Sequence, residues 1–569
     1  MQLLQHFKEL TVNPKNAKEL KGLILQLAIQ GKLTANWRAK NPDIKPASEL
    51  FKEIQKEKEQ LIEAKKIKKE KEFTKIKKDE IPYKIPVKWS WYKLAELSAI
   101  NGGFAFKSSN YIDEGARVIR ISDFDENGFK NHKIVRHLYS DALDAYVLED
   151  KNILIAMTGG TVGKSLFVDK VPEVMVVNQR VATIKIFKPI YEAYINCVIP
   201  TKLIQDVIEE AKNSTNDNIS MSDIKGFNIP IPPLEEQKEI VKVVETLFKE
   251  VAQLEQLTVE RIGLKEDFVT SALNQLTTNN ANQEWGFLQD HFKSFFNETT
   301  NIKKLRETVL QIAVQGKLTA DWRVNNRDTE DASILLKRIQ EEKTQLIKEK
   351  KIKKEKLLPK ITKDEIPYDL PEGWVWCRLG NYSHYGALSK IENKNATNDT
   401  WVLELEDVEK GSSKLLKKIR FIDRDFKSTK SVYRTTDVIY GKLRPYLDKV
   451  IVADEDGVCT TEMIPIKSFD KCSPEYLRWY MKNPNFIEYA NGTTHGMRMP
   501  RMGTDVAKKA LVSVPPIKEQ KAIVQKVNAL MGLCDRLEQE VQQSQEQISQ
   551  LMQSCLREVF EGKSKTVKI

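Results

Sequence analysis

Two stretches of the chain carry apolar residues at alternating steps of four and three. After Pro232-Pro233 the positions are Ile240, Val244, Leu247, Val251 and Leu254; near the C-terminus they are Ile523, Val527, Leu530, Cys534, Leu537, Val541, Ile548, Leu551 and Cys555, with one polar interruption at Ser544. That spacing predicts two long helices with coiled-coil seams. The proline pair bars helix before it and suits a first helical turn. A helix from Leu234 to Leu276 would run about 65 Å at ~1.5 Å per residue, too long to be buried in one globule, so it needs a partner helix along its length. For the central helix the segment Phe287 to Arg323 follows directly and can supply one. For the C-terminal helix the equivalent segment, residues 3 to 38, is expected to return and bring the two termini together.

The stretches between follow another pattern. Runs such as RVIRISDF, KNILIAMT, SLFVDK and EVMVVNQRVATIKIF, and later TDVIYGKL and KVIVADEDGVCTTEMIPIK, are short, β-branched and punctuated by glycine, asparagine and aspartate. They predict strands and turns, with helices over Tyr191 to Lys212 and Pro474 to Asn483. Each stretch reads as a mixed α/β domain.

The order of these elements is written twice. LQLAIQGKLTANWR, Leu25 to Arg38, returns as LQIAVQGKLTADWR, Leu310 to Arg323, and the match runs without a gap to Trp91 and Trp376; counted from Ala17 and Ile302, about 44 of 75 positions are identical. It extends back to His6-Phe7-Lys8 against His291-Phe292-Lys293. A second pair closes each half: IPIPPLEEQKEIVKVVETLF, Ile229 to Phe248, against VSVPPIKEQKAIVQKVNALM, Val512 to Met531. Two constant frames therefore hold two dissimilar inserts, Tyr92 to Asn228 and Cys377 to Leu511. The domains expected are an N-terminal helical segment and linker (1–77), a first mixed α/β domain (78–231), a central helical spacer and linker (232–362), a second mixed α/β domain (363–514) and a C-terminal helix (515–569). The fold class is α+β, with two mixed domains separated by two antiparallel helical spacers and related by a pseudo-twofold duplication.

With 569 residues there is room for several cores, and 91 Lys plus Arg against 80 Asp plus Glu give a net charge of +11, compatible with nucleic-acid binding. The six cysteines include no C-x-x-C, and no histidine spacing beside them suggests a metal, so the expectation is no metal site in a reducing, cytoplasmic setting. The N-terminus lacks the pattern of a signal peptide, and nowhere do eighteen apolar residues run together.

IAMTGGTVGKSLF, Ile155 to Phe167, imitates a phosphate-binding loop. Such a loop needs four residues between its first glycine and its Gly-Lys-Ser, which puts that glycine where this chain has Thr158, and a helix after the lysine, where Leu166-Phe167-Val168 reads as extended. The expectation is strand, glycine turn, strand. Asn483-Pro484-Asn485-Phe486 is the nearest approach to an adenine-methyltransferase motif, but its third residue is wrong and no glycine-rich cofactor loop accompanies it. It is read as a helix terminator. A nuclease motif assembled from Pro42-Asp43 and Glu63-Ala64-Lys65 loses its acidic spacing in the repeat, so no catalytic residue is assigned.

The Pro-Pro-hydrophobic-x-Glu-Gln segments at Pro232 to Gln237 and Pro515 to Gln520, the blocks GKLTANWR and GKLTADWR, the DEIPY segments, the Gly160 to Lys164 turn and FKSTKSVYRTTDVIYGKLRPYLDKV closely resemble the specificity subunit of type I restriction-modification enzymes. The resemblance covers essentially the whole chain. It implies a non-catalytic DNA reader whose two target recognition domains each recognise half of a split sequence while the helices set the gap. It also implies two modification subunits, two motor-nuclease subunits, and no cofactor on this chain, S-adenosylmethionine, ATP and Mg being expected on the partners.

Base contacts are sought among polar and basic residues on turns of the inserts, because bidentate Arg, Asn and Gln contacts discriminate between base edges. In the first insert these are Arg120, Thr158, Thr161, Lys164, Ser165, Asn178, Gln179, Arg180 and Asn218; in the second, Lys427, Lys430, Arg434, Lys442, Arg444, Thr460, Thr461, Arg498 and Arg501. The lysine runs Lys65 to Lys78 and Lys348 to Lys360 could track phosphates. Trp37, Trp322, Gln237 and Gln520 are candidates for docking partner subunits.

Overall fold

The structure, a computed structural model, describes residues 16–65, 67, 69, 76–77, 80–212, 217–278, 283–496 and 498–561. The His6-Phe7-Lys8 match, the start of the 3–38 segment, most of the Lys65 to Lys78 run and the side chain of Cys555 lie outside what is described. The fold is α+β. Two compact units form, one from residues 1–261 with 546–569, the other from 262–545.

The first unit contains α1 (Asn16–Ile29), α2 (Ala35–Lys40), α3 (Ala47–Glu63), β1 (Ser90–Lys93), β2 (Ser98–Gly102), β3 (Ala116–Ile119), β4 (Ile153–Ala156), β5 (Ser165–Phe167), β6 (Met175–Val177), β7 (Val181–Ile186), α4 (Glu192–Val198), α5 (Lys202–Ala211), α6 (Met221–Lys225), β8 (Asn228–Ile231) and the first part of α7 (Leu234–Thr277). Its main sheet has the order β2-β7-β4-β5, antiparallel throughout, with Ile184 opposite Ile100, Thr183 opposite Leu154, and Leu154 opposite Leu166. β3 and β6 pair in parallel, Val118 opposite Val176, and β1 pairs with β8. The run Ile-Leu-Ile-Ala of β4 does not alternate because both faces are covered. Ile153 and Ile155 face a core shared with Tyr194, Ile195, Ile240 and Val244, while Leu154 and Ala156 face a second core with Leu166, Val177 and Val181.

The second unit contains the rest of α7, then α8 (Gln283–Asp290), α9 (Thr299–Val314), α10 (Ala320–Asn325), α11 (Ala332–Lys348), β9 (Val375–Arg378), β10 (Ser383–Tyr385), β11 (Trp401–Leu403), β12 (Lys430–Tyr433), β13 (Val438–Gly441), β14 (Val450–Val452), β15 (Gly457–Cys459), β16 (Met463–Ser468), α12 (Pro474–Met481), α13 (Pro484–Gly492), α14 (Thr504–Lys509), β17 (Leu511–Val514) and most of α15 (Ile517–Glu561). Its main sheet, β10-β16-β13-β14, is again antiparallel; β11 pairs with β15 in parallel, and β9 with β17 antiparallel. The two inserts, barely alignable in sequence, thus repeat one strand order.

Three expectations change here. The helix expected over Tyr191 to Lys212 is two helices, α4 and α5, separated at Ile199 to Thr201, where Pro200 cannot continue a hydrogen-bonded turn. Asn483-Pro484-Asn485-Phe486 follows the end of α12 at Met481, as a terminator does, and also begins the next helix: Asn483 caps α13, its side chain accepting from the Phe486 amide at 3.2 Å, and Pro484 takes the first helical position. The α7 seam leaves Leu254, which is 36% exposed, and passes through buried Thr258, seven residues after Val251; the Thr258 hydroxyl donates to the Leu254 carbonyl at 2.7 Å. In the first unit Val251 packs with Ala17 and Leu20, and Ile24 and Leu551 lie against them. In the second unit Phe268, Ile302, Leu305 and Cys534, at the repeat-equivalent positions, occupy one cluster with Val269, Leu273 and Val541.

Candidate nucleic-acid interface

The constant frame is held by one buried carboxylate per unit. Glu236, wholly buried in the first turn of α7, accepts from the Thr34 hydroxyl at 2.7 Å and the Trp89 indole at 2.9 Å, and pairs with Arg38. Glu519 does the same with Thr319 at 2.6 Å, Trp374 at 2.8 Å and Arg323 at 2.5 Å. A carboxylate taken out of water needs all its lone pairs engaged, and these donors engage them. The Thr and Arg of GKLTAxWR are therefore inward-facing ligands for the Glu of the Pro-Pro-x-x-Glu-Gln segment. Gln237 and Gln520 are corrected from the docking assignment. Both are fully buried: the Gln237 amide oxygen accepts from the Tyr191 amide and its NH2 donates to the Pro232 carbonyl, both at 2.9 Å, and Gln520 bonds Ser473 and Pro515 equivalently. They anchor the start of each long helix. Trp37 and Trp322 remain half-buried on α2 and α10.

Above this frame, the sheet of each unit ends in a set of turns tied together by backbone hydrogen bonds. In the first unit β4 leads into Met157 to Lys164 and returns as β5, with a 3-10 turn over Gly159–Thr161. The strand after Lys164, where a phosphate-binding loop has its helix, removes the nucleotide-site geometry. The Met157 amide donates to the Arg180 carbonyl at 2.9 Å, the Ile219 amide to the Met157 carbonyl at 2.9 Å, and the Gly159 amide to the Asp217 carbonyl at 2.7 Å. Thr158 bridges to Asn218. These bonds bring Thr158, Thr161, Lys164, Ser165, Asn178, Gln179, Arg180 and Asn218 into one surface. Arg120 is occupied elsewhere, its guanidinium held by Asp123 at 2.7 and 2.8 Å and by the Lys133 carbonyl.

The second unit builds the same scaffold from different residues. The Lys442 amide donates to the Glu462 carbonyl at 3.0 Å, the Met502 amide to the Lys442 carbonyl at 3.1 Å, and the Arg444 amide to the Pro500 carbonyl at 2.7 Å; Leu443 bridges to Arg501. Bond for bond, Met157 corresponds to Lys442, Gly159 to Arg444, Arg180 to Glu462, Asn218 to Arg501 and Ile219 to Met502. The turn geometry is shared too: Gly159 has φ +72° and Arg444 φ +51°, a left-handed conformation that glycine adopts freely and arginine only at a cost. The Arg444 Nε is buried without a hydrogen-bond partner among the described residues, while the residue as a whole is half-buried.

In the second unit the scaffold gathers Lys442, Arg444, Thr460, Thr461, Arg498 and Arg501. Lys427, Lys430 and Arg434 are not part of it. Lys430 is buried against Glu404 and the Phe426 ring and is corrected to a structural cation. Arg434, paired with Asp456 at 2.7 Å, precedes β13, whereas Lys442 follows it, so the two stand at opposite ends of that strand. Arg501 is paired with Glu462 at 2.9 Å. The sequence search missed Tyr446, 54% exposed at the tip of the Pro445–Leu447 turn. Its signal was local: an aromatic between Pro and Leu, two residues after Arg444 and four after Lys442. Among the described residues there is no His/Cys/Asp/Glu group able to hold a metal, and no described helix is long and apolar enough to cross a membrane.

Residues 86–261 match the family model described as type I restriction modification DNA specificity domain. The chain is similar to the type I restriction enzyme EcoAI specificity subunit of Escherichia coli, 28% identical over 91% of this chain and 90% of that one. It is also similar to the EcoEI specificity subunit of Escherichia coli, 26% identical over 93% and 91%. Among solved structures, a chain described under "Structural basis underlying complex assembly and conformational transition of the type I R-M system" aligns with a TM-score of 0.50 at 16% identity, covering 84% of this chain and 100% of that one, a likeness of fold.

Proposed function

We propose, from the premise that this chain belongs with the type I restriction-modification specificity subunits, that it reads a bipartite DNA target, one half through each insert, and performs no catalysis itself. The observation that carries the proposal is the paired scaffold: the same backbone bonds recur in both units, while the side chains they display differ, as two dissimilar half-sites require. Sequence discrimination needs side chains held in fixed positions before they meet base edges, and hydrogen-bonded turns at the end of a packed sheet supply that. The helices α7 and α15, 44 and 45 residues long, act as spacers that hold the two half-sites at a constant unread gap.

In this reading two modification subunits dock on the chain, bring S-adenosylmethionine and methylate adenine, and two restriction subunits supply ATP- and Mg-dependent translocation and cleavage, all in the cytoplasm. The half-buried Trp37 and Trp322, each beside its buried Glu-Arg pair, suit one docking surface per modification subunit. The test is a map of methylated adenines in cells carrying the chain with its modification subunit. Methylation confined to one split motif with a constant gap supports the proposal; methylation without sequence preference, or unchanged when the chain is deleted, overturns it.

A further inference from the structure

At two corresponding stations of the scaffolds the charges are arranged oppositely. In the second unit Glu462 and Arg501 neutralise each other, with the Arg501 Nε 2.9 and 3.1 Å from the two carboxylate oxygens. In the first unit those stations hold Arg180 and Asn218, both exposed, and among the described residues no carboxylate forms an ion pair with Arg180. Its backbone is nevertheless fixed on both sides: the carbonyl accepts from the Met157 amide at 2.9 Å, and the amide donates to the Asn178 side chain at 3.2 Å. The tight turn ends as the Val181 amide donates to the Asn178 carbonyl at 2.9 Å. A guanidinium fork on a rigid turn, with its charge uncompensated, is built to meet two acceptors lying side by side.

We propose that Arg180 is a base-specificity determinant of the first recognition domain and that it reads a guanine, donating in parallel to O6 and N7 in the major groove. The equivalent station of the second domain, closed by the Glu462–Arg501 pair, does not read in this way. The assignment rests on the DNA-reading function proposed above. A lone Arg to phosphate contact would use the same charge without the fork, and that is the alternative the experiment must separate.

The full-length chain, co-purified with its modification subunit, is used to select binders from a random-sequence duplex library, in parallel with Arg180→Lys and Arg180→Gln. The wild type is expected to select one invariant G·C pair in one half-site. Both variants are expected to lose preference at that pair alone, by about 5- to 150-fold, while the rest of the motif persists. Arg180→Lys, which keeps the charge, separates base reading from charge, and persistence of the other preferences within the first half-site shows that the first unit of the variants is folded. Equal weakening on all sequences by Arg180→Gln, with a salt dependence lower by about one counterion and full rescue by lysine, would make Arg180 a phosphate contact and overturn the assignment. So would an unchanged motif, or a wild-type first half-site without guanine. A wild type that selects no motif at all would instead remove the DNA-reading function itself.

Discussion

Glu236→Gln tests the frame on which both turns and helices depend. Glu236 is fully buried and joins Thr34 and Arg38 at the end of the repeated block to Trp89 ahead of the first insert, so the substitution removes the charge paired with Arg38 and turns one accepting position of the network into a donor. An amide retains the shape but loses the charge, and its NH2 faces a donor. Removing one partner from a buried ion pair costs about 3–5 kcal/mol. Because the Arg38 side chain is 22% exposed and can recruit water, the lower end, about 3 kcal/mol, is the appropriate figure. For a domain whose whole stability is about 5–15 kcal/mol that is a large fraction. With a urea m-value of about 1–3 kcal/mol per molar, the unfolding midpoint of the first unit should fall by about 1–3 M. Tryptophan fluorescence on the full chain reports it through Trp89. Glu519→Gln should lower a different transition, that of the second unit, through Thr319, Arg323 and Trp374. A double-mutant cycle of Glu236→Gln with Arg38→Met isolates the pairwise part. A midpoint shift below about 0.3 M, or a coupling under about 0.5 kcal/mol, would refute the view that this carboxylate holds the frame together.

Glu365 is held at a pKa of about 2 chiefly by the Arg378 guanidinium, with bonds of 2.8 Å to each oxygen. A depressed carboxyl pKa contributes stability above its ordinary value near 4.5 that is lost as pH falls towards about 2; acid unfolding of Glu365→Gln should show a shallower loss in that window, and an unchanged slope would exclude the linkage. Lys164→Ala removes an exposed cation from the first turn and should weaken binding to every duplex alike, lowering the salt slope by about one, as measured by binding at two salt concentrations. An effect confined to one sequence would reassign Lys164 to base reading. Gly103→Ala places a Cβ 2.2 Å from the Val177 carbonyl oxygen and 2.3 Å from that of Asn178, so it must push the Asn178 to Arg180 turn out of place. Preference in the first half-site should be lost while the second is kept, and an intact motif would show that this turn does not read.

How far the molecule was legible follows from the kind of constraint each part obeys. The strand, turn and strand at Ile153 to Phe167 was readable because extended residues after Lys164 exclude the alternative helix. The seam of α15 was readable from Ile523 to Val541 because heptad packing is periodic, while α7 departed at Leu254 because a threonine could take the buried position once its hydroxyl bonded back to the helix. Gln237 and Gln520 were misplaced because a repeated polar residue after a proline pair has the same appearance whether it faces solvent or satisfies a buried backbone amide. Lys430 was misplaced for the same reason, its neutralising Glu404 lying twenty-six residues away in sequence.

By itself the amino-acid order determined the duplication, the long helices, the two α/β inserts and the family resemblance, because these rest on repeated blocks and local periodicity, which survive without any knowledge of contacts. Only the tertiary structure decided that the two dissimilar inserts hang their turns on the same backbone bonds, and which basic side chains are already neutralised. Both depend on hydrogen bonds and ion pairs between residues distant along the chain, such as Met157 with Arg180 and Ile219, or Arg501 with Glu462. Charge alone marks a residue as a candidate; what its neighbours have already done with that charge decides whether it is left to meet DNA.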